Sequence, residues 1–451
     1  MRVPALLSLN PELQRGLWLE LTLSRILAAP IVLLLLLGGL SSIGSPEFAA
    51  RLDRFIIWAL LVLWGSRLAA ESFGDEVAGR TWDVQRLSAQ TPWALTLGKL
   101  FGGTVFVWYA AALSLVGLVL LEPSSAGQTI IQDLLGGLTA QSTALFVALA
   151  LHRFDIQNRR THTGLAQIAG ILASWKSGLL SLPMRAPIGG DGDAITWYGA
   201  DFAAADFLLA VQLVSVVWLI FGSMRIIRRE LGFIDGPLGW ALYTIYALAM
   251  TAGFVPMGWD AHARPFGFLG FDIPLSALGA ESLSWLAAIS LTYIGALGVP
   301  VTLIALKKLS AAWGAGDWRA VWRNLPVWTP SGIAVATITL FLSLRLAATQ
   351  VTNSGALLPL AAFGFVMRDI ALIYLLRLTY RQRTAVALLV MFVILYGVAP
   401  IVLGNLSGGL LSPLFYPGLR SGALSVIAAW VEAGIAWFAV RSLWRAKPSP
   451  A

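Results

Sequence analysis

The sequence predicts an all-α, polytopic integral membrane protein with about twelve transmembrane helices and both termini in the cytoplasm. Three observations predict it. The chain is 58% hydrophobic and only 12% charged, whereas a soluble domain carries about 25% charged residues. Its mean hydropathy is +0.77. Its apolar residues gather into runs long enough to cross a bilayer, of which "ILAAPIVLLLLLGGLSSIG" is the first.

These runs centre near Leu33, Leu61, Leu113, Leu145, Ile171, Val214, Ala247, Tyr293, Thr339, Phe363, Phe392 and Ile427. Lys and Arg then fall unevenly between alternate loops. With the N-terminus inside, about 23 lie on the cytoplasmic side and about 5 outside. Lys176, Arg345 and Arg368 remain within spans. The stretches "RIIRRELGFIDG", "HRFDIQNRRTH", "KKLSAAWGAGDWRAVWRN" and "RLTYRQR" all land inside. The asymmetry sets the orientation of a multi-pass protein, expected in the cell inner (plasma) membrane.

Composition excludes several function classes. There are no cysteines, so disulfides, thiolate metal sites and cysteine nucleophiles are absent. His152, His162 and His262 are scattered and form no metal-ligand spacing. The net charge is +8, but the basic residues occupy short loops between apolar runs, which fits topology and not nucleic acid. No cleavable signal peptide precedes the first span. No Ser/His/Asp set converges, so no catalytic residue is assigned.

Three regions follow in order. Residues 1–25 form an N-terminal interfacial elbow helix, in which Asn10 caps, Pro11 opens the first turn and Glu12 meets the positive end of the dipole. Residues 26–240 hold six spans. Residues 241–451 hold six more. "GDWRAVWRNLPVWTPSGIAV" is similar to the N-terminal helix, and "LLRLTYRQRTAVALLVMF" to "VQRLSAQTPWALTLGKLF". A degenerate repeat of the first half is one reading of the second, carried by these two short matches.

Between the second and third spans the chain turns polar, with "DEVAGRTWDVQRLSAQTPWALTLGKL" at Asp75–Leu100. Good helix formers run to the Thr91–Pro92 pair, which caps and opens the third span. The spacing predicts one short amphipathic helix ending near Gln90, with Val77, Val84 and Leu87 on one face. In the outer loops, "PMRAPIGGDGDAITWYGADFAAAD" is rich in Gly, Asp and aromatics. It reads as an interfacial belt or short re-entrant helices. Its Asp191, Asp193, Asp201 and Asp206 read as a polar turn more readily than as a carboxylate site.

Residues 71–99 resemble the cytoplasmic coupling segment of ABC exporter permeases of the ABC-two type. Glu76, Thr81, Trp82, Asp83, Arg86, Leu87, Ser88, Pro92, Trp93, Gly98 and Lys99 match in type and spacing. Arg80 departs, because the family has Gly just before the Thr and Gly79 sits one place early. "NPELQRGLWLE" resembles the family's elbow helix, and "RIIRRELGFIDGPLGW" a stretch that follows the sixth span in some large members. The resemblance is best over residues 8–240. It implies the permease subunit of an ATP-driven exporter working by alternating access. Cytoplasmic ABC ATPase subunits would press on residues 71–99, and on 377–384 in the second half.

The chain has no G-x-x-x-x-G-K-[ST] loop, so ATP and magnesium would be bound by the partner, and the chain itself is neither an enzyme nor a cofactor carrier. "NLSGGLLSP" lies outside, between the last two spans, and is no ATPase signature. Docking in a cleft needs an apolar anchor and a polar rim. Trp82, Val84 and Leu87 are the candidate anchor, and Arg80, Asp83 and Arg86 the rim. One chain supplies both halves of the pathway, or a second permease chain joins it.

Charged residues within spans are the other candidates. They are Lys176, Arg368, Asp369 and Glu432. Neighbours on one helix point about 100° apart, which directs Arg368 and Asp369 toward other spans. A Lys176–Glu432 pair is a further arrangement. These charges support a rival reading as an ion-coupled secondary transporter. A membrane scaffold or enzyme without transport is the third.

Overall fold

The computed structural model describes residues 10–43, 46–88, 90–123, 126–152, 159–174, 194–233, 235–254, 281–299, 302–348, 353–380, 384–407, 411, 414–415 and 422–446. Of these, 87% are helical. The chain divides into two compact units, Met1–Ile195 with Phe202–Phe233, and Thr196–Asp201 with Ile234–Ala451.

The first unit contains α1 (Pro11–Glu20), α2 (Leu23–Ile43), α3 (Pro46–Trp58), α4 (Gly65–Ala78), α5 (Trp82–Arg86), α6 (Pro92–Leu97), α7 (Val105–Leu121), α8 (Ala126–His152), α9 (Arg159–Ser174) and α10 (Ala204–Glu230). α1 and α2 meet at 63°. α8 sits at the centre, packed on α4, α9 and α10. Ala70, Ala144, Ala148 and Ala166 are fully buried there. Small side chains let these backbones approach closely where lipid supplies no hydrophobic drive between helices.

α3 and α4 are one long rod interrupted by a π-helical stretch, Ala59–Trp64. A wide turn turns carbonyls off the helix ladder, and in lipid each must find a donor. Gln141 on α8 donates to the Leu61 carbonyl at 3.0 Å, and Gln167 on α9 donates to that of Leu63 at 2.9 Å. Gln141 also accepts from the Trp108 indole at 2.9 Å. A Cβ on Gly65 would lie 2.4 Å from the Gln141 amide, so glycine there makes room for the repair.

A short hairpin of β1 (Ala194–Trp197) and β2 (Ala200–Ala203) precedes α10. Its turn places Tyr198 at φ 49 and Gly199 at φ 76. Two left-handed residues match the twist of paired strands. Over residues 194–203 the outer loop is a hairpin in place of a re-entrant helix; residues 183–193 of that loop lie outside the described residues.

The second unit contains α11 (Leu238–Ala252), α12 (Glu281–Gly298), α13 (Leu303–Gly314), α14 (Trp318–Asn324), α15 (Thr329–Ala348), α16 (Asn353–Thr379), α17 (Thr384–Val393), α18 (Ala399–Leu406) and α19 (Gly422–Ala446). α16 packs on α12, α15 and α19. Tryptophans bury their rings and give their N–H groups to neighbouring helices. Trp285 donates to Thr339 at 2.9 Å, Trp328 to Tyr374 at 2.7 Å and Trp240 to Ser331 at 3.2 Å.

Among the described residues, seven helices are long and apolar enough to cross a membrane, or up to ten if each bent pair is one span. All twelve predicted centres fall on described helices. Ten fall on these spans and pairs. Ile171 lies on α9, of 16 residues, and Ala247 on α11, of 15. Over the described residues both are shorter than a span needs.

Candidate functional site

The polar segment of the first unit is built around one carboxylate. α4 ends in a three-residue cap. The Thr81 amide bonds to the Glu76 carbonyl at 2.9 Å, and the Arg80 amide to that of Val77 at 3.2 Å. This pattern needs a left-handed residue after the helix, usually glycine. Here it is Arg80, at φ 54. The same cap follows α10 and α13, where Gly232 and Gly316 take the position at φ 85 and φ 69.

The cap turns the chain so that Glu76 faces three elements. Its Oε1 accepts from Arg15 of α1 at 2.7 Å and from Gln85 of α5 at 2.6 Å. Its Oε2 pairs with the Lys99 ammonium. Lys99 lies in a second π-helical stretch, Gly98–Gly102, which continues α6. The Lys99 side chain has no exposed surface. It also donates to Gln85 at 3.1 Å and lies 5.1 Å from the centre of the Trp82 ring. Arg15 bridges on to Glu12 at 2.6 Å.

Glycines allow this contact. A Cβ on Gly98 would sit 2.5 Å from the Glu12 side chain, and one on Gly16 would sit 2.4 Å from the Gly102 carbonyl. Asn10 caps α1 through the amides of Glu12 and Leu13 at 3.1 and 3.2 Å. Its amide group donates to the Ala94 carbonyl at 2.9 Å. A cavity of about 350 Å³ opens beside the cluster, lined by Arg15, Glu20, Glu71, Asp75, Lys99 and Gly102 among others.

The expected residues thus divide. Glu76, Thr81, Trp82 and Lys99 converge, and the Thr81 hydroxyl donates to the Glu76 carbonyl at 3.3 Å. Thr91 caps α6 through the Ala94 amide at 3.2 Å, and Pro92 opens it. Asp83, Arg86, Leu87 and Ser88 face outward, with Arg86 and Asp83 in an exposed pair at 3.6 Å.

Two expectations need correction. The single amphipathic helix ending near Gln90 is instead the end of α4, a cap and the five-residue α5. Trp82 is no docking anchor. It is 4% exposed and packs edge-to-face on Phe73 at 5.2 Å. The outward apolar pair is Val84 and Leu87, 70% and 89% exposed. Sequence reading did not find Arg15 or Gln85. Neither sits in an apolar run, and their partner is 61 and nine residues away.

In the second unit, Arg368 and Asp369 pair with each other at 3.0 Å and also with other helices. Arg368 binds Glu432 of α19 at 2.7 Å and the Tyr396 hydroxyl at 2.9 Å. Its guanidinium lies 4.6 Å from the Phe365 ring centre. Asp369 accepts from Tyr293 at 2.6 Å and from Tyr396. The long Arg368 side chain swings back across the angle that separates neighbours, so the pairing within one helix was missed. Glu432 is thereby paired with Arg368; Lys176, Asp191 and Asp193 lie outside the described residues. Asp201 accepts from Thr196 across the hairpin, and Asp206 is exposed in the first turn of α10. Among the described residues no group of His, Asp and Glu is arranged to hold a metal.

The chain matches no protein-family model, no curated protein and no solved structure.

Proposed function

We propose that the chain is the membrane-spanning permease subunit of an ATP-driven exporter of the inner membrane. It would carry about twelve spans with both termini in the cytoplasm. Separate ABC ATPase subunits bind ATP and magnesium and press on Val84, Leu87 and the Asp83–Arg86 rim. The observation that carries this reading is the Glu76 cluster. A loop that only joined two spans would have no reason to bury Lys99. Here one carboxylate ties α1, α5 and the opening of the next span. A push on α5 therefore reaches three helices as one body, which rigid-body transmission requires.

A second reading is favoured by the Arg368–Asp369–Glu432 cluster, in which Arg368 and Asp369 are buried and Glu432 half-buried. Charges this deep mark ion paths in secondary transporters as well as structural ties. It predicts transport without an ATPase, and loss of transport in Asp369→Asn or Glu432→Gln.

The deciding experiment is co-purification of the solubilised chain from its native membrane. Wild type is compared with the charge-reversed Asp83→Arg/Arg86→Asp variant. Capture of an ABC ATPase by the wild type, lost in the variant, supports the exporter. No ATPase with either, together with transport driven by an ion gradient, overturns it.

A further inference from the structure

α13 and α14 are joined by a tight cap at Gly316 and held by Trp313 against Trp318, edge-to-face at 5.3 Å. One side of this unit is fixed to the protein, with Ala312 and Val321 8% and 5% exposed. Among the described residues the other side is open at Trp313 and Trp318, and the Trp322 ring, one edge of which packs on Gly236, is partly open. Trp313, Trp318 and Trp322 are 64%, 66% and 44% exposed. Indoles are among the costliest side chains to leave in water, and they concentrate where one end is apolar and the other wet.

The charges follow the same geometry. Trp318 and Trp322 are four apart and share a face. Arg319 and Arg323 are also four apart, on the adjoining face. Lys308, Arg319 and Arg323 are exposed, and their side chains have no hydrogen-bond or ion-pair partner among the described residues. The only acid between Leu303 and Asn324 is Asp317. Its carboxylate accepts the Arg319 and Ala320 amides at 3.1 and 3.0 Å as the helix cap.

Chain length fixes where this face lies. α15, a candidate span, starts at Thr329, five residues after α14 ends at Asn324. Those residues reach at most about 18 Å. The aromatic and cationic face is therefore held at the edge of the bilayer.

We propose that α13 and α14 form an interfacial site for anionic phospholipid. Trp318 and Trp322 seat among the headgroups, and Lys308, Arg319 and Arg323 engage lipid phosphates. Indoles on one face and arginines beside them are the composition of a helix that lies in the interface. The excess of unpaired cations selects anionic over zwitterionic lipid. Each basic residue at an anionic surface is worth about fivefold in binding, so three give on the order of 100-fold.

The test uses the full chain in nanodiscs of phosphatidylcholine, doped with brominated phosphatidylglycerol or brominated phosphatidylcholine. Tryptophan quenching is read as the difference between wild type and Trp318→Phe/Trp322→Phe. The expected result is quenching of these two indoles by brominated phosphatidylglycerol at doping levels where brominated phosphatidylcholine is silent. The Lys308→Gln/Arg319→Gln/Arg323→Gln variant then needs on the order of 100-fold more of the anionic lipid. Arg319→Lys/Arg323→Lys keeps the preference, which separates charge from fold. Equal quenching by both lipids, an unchanged triple variant or an absence of quenching overturns the proposal. So does full competition by free glycerol phosphate, which identifies a soluble-anion site.

Discussion

Glu76→Gln removes one negative charge from a site where the Lys99 side chain has no exposed surface. Taking one partner from a buried ion pair costs about 3–5 kcal/mol, because the other charge stays buried. The glutamine carbonyl still accepts one hydrogen bond, which returns about 1 kcal/mol. The net loss is about 2–4 kcal/mol. Lys99→Met leaves the carboxylate with Arg15 and Gln85, so it costs about 2 kcal/mol. The double variant has no buried lysine to strand. Its loss falls short of the sum by at least about 1 kcal/mol. The chain has no cysteines, which supplies the assay. Ala144→Cys places one thiol in a fully buried position on α8, and its labelling rate in micelles reports opening of this unit alone. Glu76→Gln should speed labelling about 30- to 1,000-fold. A change under about threefold, with additive single effects, would refute the claim that the carboxylate holds this unit together.

Arg80→Gly should stabilise by about 1 kcal/mol, since a side chain at a left-handed position costs about 1–2 kcal/mol that Gly232 and Gly316 avoid; slower thiol labelling checks it. Gly16→Ala drives a Cβ onto the Gly102 carbonyl and should cost about 1–3 kcal/mol, seen as protease sensitivity of α1. Arg377 donates to the carbonyls of Ala296 and Val299 at 2.8 and 3.1 Å and to that of Leu297. Arg377→Ala leaves the end of α12 without these donors and should cost about 3 kcal/mol, read as a lower midpoint in thermal unfolding. Val84→Asp/Leu87→Asp should shift stability by less than about 0.5 kcal/mol, both sites being exposed, and on the proposed exporter reading should abolish capture of an ATPase.

The helices were legible because each predicted centre is a run of apolar residues, and lipid forces such runs to close their own hydrogen bonds. The Thr91–Pro92 start of α6 was legible because a cap is a local event. The core of the Glu76 site was only half legible. Glu76 and Lys99 stood out through the resemblance of residues 71–99 to a coupling segment, but nothing local says that Arg15 completes the cluster. Trp82 was misread for a related reason. The docking argument takes an aromatic in a polar segment as an outward anchor, whereas the Arg80 cap swings it inward onto Phe73. The Arg368–Asp369 pair was misread from helix geometry alone, because the reach of an arginine exceeds the angle between neighbours.

The bond from Asn10 to the Ala94 carbonyl spans 84 residues, and this separation has a consequence for synthesis. A ribosome adding 5–20 residues per second needs about 4–17 s to make the partner of α1 after α1 itself has emerged. Two spans are produced in that interval. The helix must persist through the wait with only local support, its Asn10 cap and the Glu12–Arg15 pair. α1 thus waits, undocked, on a partner made 84 residues later. A stall before Lys99 would leave nascent chains with α1 undocked, its first turn open to proteases that survey the membrane surface.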